Sequence, residues 1–88
     1  MTEQTITISN RAGVHARPAA LIVQATKNFL CNIYLERGHD RINAKSIMGV
    51  ITLGAAFGTQ IRIIAEGEDE QAAVETLVRL FASKFEEE

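Results

Sequence analysis

In the segment RAGVHARPAALIV, residues 11–23, an imidazole, a guanidinium and a proline gather just ahead of an apolar run: His15, Arg17 and Pro18. Proline is tolerated in the first turn of a helix because the N–H groups there lack intrahelical acceptors. The order predicts a helix that opens here, with His15 as N-cap, Ala16 and Arg17 as its first two residues and Pro18 as its third. A residue before proline resists α dihedrals, so Arg17 is expected to be only loosely helical. The unpaired amides of Ala16 and Arg17 then point off the helix end beside the imidazole. With the macrodipole they form an anion site worth roughly 0.3–1 kcal/mol. The same positive end disfavours imidazolium and keeps the ring nucleophilic. Neutral imidazole, open amides and a guanidinium could together accept, hold and release a phosphoryl group. A plainer alternative makes His15 a helix cap and Arg17 a solvated charge, although histidine caps poorly beside Ser, Thr, Asp or Asn.

Ser46, ahead of IMGVITL, is a second candidate. As an N-cap it needs no further role. On a helical wheel Val50 and Leu53 share one side, and Ile47, Met48 and Ile51 share another. Either both sides are buried, or the second is an exposed apolar patch of the kind that docks partners, with an adaptable methionine in it. Other chemistries find no support. GAAFGTQ lacks the G-K-[ST] ending of a phosphate-binding loop, so Gly54 and Gly58 read as helix stop and turn. His39 sits in a hairpin without a second ligand, which leaves no metal site. No Ser-His-Asp or Cys-His grouping stands out. Tyr34 is the only aromatic on any predicted strand, too few for base stacking, so no nucleic-acid partner is expected.

The elements that must position these residues follow from periodicity. QTITIS alternates, with Ile6 and Ile8 on one face. RPAALIVQATKNF is helical, with Pro18, Ile22, Ala25 and Phe29 as its apolar stripe. CNIYLE points Ile33 and Leu35 inward, RGHD turns, and RIN is a short strand. SIMGVITL makes about two helical turns stopped by Gly54. TQIRIIAE places Ile61, Ile63 and Ala65 on one face. The last helix starts near the N-cap Asp69, with Glu70 in its first turn and Val74, Leu77, Val78, Phe81 and Phe85 as its stripe. Lys84 suits its C-terminal end, and the closing Glu86, Glu87 and Glu88 are expected to fray. The order βαββαβα, with strands covered on one face only, predicts an α+β fold: an antiparallel sheet with helices on one side.

Bulk properties are consistent with one domain over residues 1–88. Cys31 is the only cysteine, which excludes an internal disulfide, suits a reducing compartment and reads as a small core residue. The N-terminus lacks the pattern of a signal peptide, and IMGVITLGAAF is too short and glycine-rich to span a bilayer, so a cytoplasmic location without membrane insertion is expected. Charge is uneven: residues 66–88 carry a net −6 and the remainder +4, within a total of −2. The acidic end reads as a helix start and a solvated tail. Arg11 and Arg17 bracket His15 in the basic part.

GVHARPAA, KSIMGV and AEGEDEQ together closely resemble the HPr family, the histidine phosphocarriers of the bacterial sugar phosphotransferase system, and the similarity runs over essentially all 88 residues. It departs only modestly, in NRAG before the site and in the triple-glutamate tail. The resemblance implies an open-faced β-sandwich, four antiparallel strands under three helices. It further implies phosphorylation of His15 on Nδ1 by phosphorylated Enzyme I, and onward transfer to sugar-specific acceptor proteins. Arg17 and the amides of Ala16 and Arg17 would hold the phosphoryl oxygens; Ala20, Ile47, Met48 and Ile51 would dock partners. Ser46 matches the position modified by an ATP-dependent serine kinase/phosphorylase in many members. A phosphoserine there adds about −1.5 to −2 charge at a helix N-terminus, tolerable for the fold but obstructive to docking. The implied protein is a stoichiometric, monomeric carrier without cofactor or metal, not a turnover enzyme. A regulatory or nitrogen-branch variant, signalling through its phosphorylation states to kinases or transcriptional regulators, remains an alternative.

Overall fold

The computed structural model describes residues 1–86, with the side chain of Glu86 left aside; of the closing glutamates expected to fray, Glu87 and Glu88 lie outside the described residues and Glu86 ends a 3-10 turn. The elements are β1 (Thr2–Thr7), α1 (Ala16–Thr26), β2 (Asn32–Arg37), β3 (Asp40–Asn43), α2 (Ile47–Leu53), β4 (Gln60–Glu66) and α3 (Glu70–Ala82), followed by a short 3-10 turn, Lys84–Glu86. The four strands pair antiparallel in the order β1-β4-β2-β3. The predicted α+β architecture is the one observed.

Alternation decides which side of the sheet is covered. Register aligns Ile33 with Ala65, Leu35 with Ile63 and Ile42, and Ile6 with Ile61, so one face presents a continuous apolar row. Ile33, Leu35, Ile61 and Ile63 are buried there beneath the helices, each contributing roughly 1.5–3 kcal/mol by leaving water. On the other face Ile64, flanked in register by Glu3 and Tyr34, is buried too. Strict alternation had assigned that position to the wet side. Its neighbours there include an ion-pair chain from Glu3 through Arg62 to Glu36 and Arg41, whose guanidinium lies 5.1 Å from the Tyr34 ring centroid.

Five details differ from the sequence reading. β1 starts at Thr2 and ends at Thr7, and Ile8 is buried just beyond it, bonded to residues 58 and 59. α1 stops at Thr26, short of Phe29, because Asn28 and Phe29 turn back on Ala25 and Thr26 through i−3 bonds. Thr26, not Ala25, completes its buried stripe, since its hydroxyl donates to the Ala44 carbonyl at 2.8 Å. Asp69 occupies the N-cap of α3 but makes no capping bond; its carboxylate accepts from the amides of Leu30 and Cys31, each at 2.9 Å. Phe85 lies outside α3, which ends at Ala82. Lys84 and Phe85 both take φ 56°, and this left-handed turn drives the Phe85 ring into the core, edge-on to Phe81 at 5.0 Å.

Candidate functional site

Residues 10–15 approach α1 as a loop held against the far end of α2. Gly13 has φ +72°, and a Cβ there would sit 2.7 Å from the Ala55 carbonyl oxygen. Only glycine permits both the conformation and the approach. Val14, buried, donates its amide to that same carbonyl at 2.8 Å. The next residue is His15.

His15 is extended (φ −109°, ψ −161°) and is the N-cap of α1, its carbonyl accepting from the Ala19 amide at 2.9 Å. Its exposed imidazole makes no capping bond with the helix. His15 thus takes the cap position expected of it through its backbone alone, and its side chain does not serve as the cap. Arg17 is exposed and helical despite the following proline, which buries its ring. The amides of Ala16 and Arg17 fall in the turn where no helical carbonyl can reach them. An imidazole, two orphan amides and a guanidinium thus share one helix end, a combination that receives tetrahedral oxyanions.

α2 packs against α1 and shows two unlike sides. Val50 and Leu53 are buried, whereas Ile47, Met48 and Ile51 are 43%, 65% and 37% exposed, so of the two alternatives the exposed patch is the one realised. Ala20, on α1, is half-buried. Ser46 is exposed, and its Oγ accepts the Gly49 amide at 3.2 Å, which makes it a working cap. The other end of α2 closes on Gly54 at φ 62°, whose carbonyl accepts from Arg37 Nη1 at 3.0 Å.

Sequence reasoning missed Phe57, 61% exposed in the loop whose Ala55 anchors Val14. A bulky aromatic between two turn glycines was the available signal. Cys31 is buried, and burial together with the Asp69 carboxylate pushes its thiol up to about 11, which leaves no nucleophilic thiolate at neutral pH. Among the described residues no cluster of His, Cys, Asp or Glu could hold a metal ion, and no helix is long and apolar enough to cross a membrane.

The family profile described as "PTS HPr component phosphorylation site" matches residues 2–83. The chain belongs to the HPr family. As an HPr protein it is a phosphocarrier of the phosphotransferase system. It is 53% identical to the phosphocarrier protein HPr of Treponema pallidum over 88 residues, the whole of both chains. It is 44% identical to the HPr-like protein Crh of Bacillus subtilis over 77 residues, 88% of this chain and 91% of that one. The crystal structure of HPr-C-His from Thermoanaerobacter tengcongensis superposes with a TM-score of 0.96 at 49% identity, covering 100% of this chain and 99% of that chain. The HPr fold and the open-faced sandwich expected for it are therefore shown by sequence and structure alike.

Proposed function

We propose that His15 is the atom-bearing residue of this phosphocarrier, loaded by phosphorylated Enzyme I and unloaded by sugar-specific acceptor proteins. The observation that supports this most is the exposed His15 imidazole, seated on the α1 N-terminus yet making no capping bond with it. In loading, the Nδ1 lone pair attacks phosphorus while the bond from phosphorus to its carrier atom on Enzyme I breaks. No proton has to move if the ring keeps its hydrogen on Nε2. The amides of Ala16 and Arg17 and the Arg17 guanidinium hold the three equatorial oxygens, whose charge is what transfer must stabilise. Unloading runs the same bonds in reverse with His15 as leaving group. The chain is consumed and regenerated stoichiometrically, so it is a carrier within a relay and not a turnover enzyme.

Partners dock on Ala20, Ile47, Met48 and Ile51, beside the site. The protein works as one monomeric domain in the cytoplasm. The test is incubation with phosphoenolpyruvate and Enzyme I, followed by intact mass. One acid-labile phosphate is gained by the wild type and none by His15→Ala; uptake by His15→Ala would assign the role elsewhere.

A second reading is favoured by the exposed Ser46 and by the Crh-like relative: the phosphorylation states also act as signals, with Ser46 modified by a serine kinase/phosphorylase and the product read by transcriptional regulators. Phosphate uptake from ATP in a lysate of the source cell, lost in Ser46→Ala and retained in His15→Ala, would support it.

A further inference from the structure

The loop that delivers His15 is closed by a residue that the relay chemistry leaves without a role. Asn10 is 1% exposed, a rare setting for a side-chain amide. Its Nδ2 donates to the Gly13 carbonyl at 2.7 Å, and the Gly13 amide donates back to the Asn10 carbonyl at 3.1 Å. One residue thus ties both polar groups of Gly13. Its Oδ1, also buried, has no hydrogen-bond partner among the described residues. A buried side-chain amide with one end unmatched costs stability, so packing alone does not account for it.

The geometry points to Asn10 as a positioning residue for phosphoryl transfer at His15, an inference that rests on the reading of His15 as the carrier. Gly13 is the residue whose left-handed turn brings the loop onto Ala55, and Val14 is then fastened to the Ala55 carbonyl at 2.8 Å. With Gly13 locked from one side by Asn10 and with Val14 locked from the other by Ala55, the direction in which the chain enters His15 is fixed. The imidazole and the amides of Ala16 and Arg17 keep a constant relation as a consequence. Asn10 touches neither phosphorus nor the ring; it acts through the backbone.

Transfer is steep in geometry, and displacement by about 1 Å can cost up to about a hundredfold in rate. Docking should be indifferent, because Ile47, Met48 and Ile51 lie on α2, outside the loop. The experiment is steady-state phosphorylation by Enzyme I and phosphoenolpyruvate with the protein as varied substrate. Asn10→Ala should lower kcat about tenfold or more while KM stays within about twofold. Asn10→Asp keeps the volume but not the donor and should fall at least as far; it serves if the alanine variant does not fold. Val74→Ala, a buried change on α3, controls for lost stability and should leave kcat alone even at equal loss in Tm. An unchanged kcat in the asparagine variants, a change confined to KM, or an equal fall in Val74→Ala overturns this inference alone. A wild-type protein that gains no phosphate on His15 overturns the carrier reading instead.

Discussion

His15 combines exposure with a fixed backbone: the ring faces solvent while its carbonyl and the preceding amide of Val14 are both bonded. Arg17 differs. It is exposed in the first turn of the helix and has no ion pair among the described residues, so its guanidinium is open to an incoming oxyanion. Charge that helps chiefly as the phosphoryl group passes should appear in the rate and not in affinity. Arg17→Ala is accordingly expected to slow transfer within the Enzyme I complex by ten- to a thousandfold, the range typical for loss of one oxyanion donor and below, with little change in complex affinity. Rapid-quench kinetics beside a binding titration separates the two, and a loss of affinity alone would remove the assigned role.

At the level of elements, α2 carries the exposed apolar side of Ile47, Met48 and Ile51, proposed above to dock partners, on a helix capped at both ends, by the Ser46 hydroxyl and by the left-handed Gly54. Ser46→Ala should cost about 1 kcal/mol, lowering Tm by roughly 4–8 °C in a domain this small. Ser46→Asp should keep the cap and the melting temperature yet slow loading by Enzyme I, because it sets a charge beside Ile47 and Met48. Unaltered loading would leave Ser46 as a cap only. This helix and all four strands were legible because their periodicities are strong and their stops, Gly54 and the RGHD turn, are local. What was not legible depends on distant partners. Thr26 enters the core only because Ala44 offers a carbonyl, and the Asp69 carboxylate makes no capping bond because it takes the amides of Leu30 and Cys31 instead. Phe85 fits a helical stripe by spacing, and only the packed Phe81 reveals that the chain must turn left-handed to seat it. His15, Arg17 and Pro18 of the candidate site stand together in a single short motif; the loop contacts behind them, through Asn10 and the distant Ala55, do not.

Across the whole molecule, the N-terminus, the β4–α3 turn and α3 meet at Glu70. Its carboxylate accepts from the Thr2 hydroxyl and from the Gly67 amide at 3.1 Å, and pairs with the Met1 amino group at 3.0 Å. Those contacts, the Thr2 bond foremost, lower its pKa from the ordinary 4.5 to about 2. A depressed folded-state pKa means stability that is present in full above about pH 4.5 and is lost as pH falls through about 2. Melting curves from pH 7 to 2 should show Glu70→Gln below the wild type at neutral pH, with the two converging across that window; a constant gap would mean that the contacts do not bind the ionised form preferentially. The side of the sheet that bears no helix has its own use. Thr5 is exposed there, and the resident thiol of Cys31 is buried and hard to ionise. A cysteine engraved at Thr5 would therefore take a dye or a surface tether selectively, on the back of the molecule, and the passage of phosphate through the helical side could be watched without anything standing in its path.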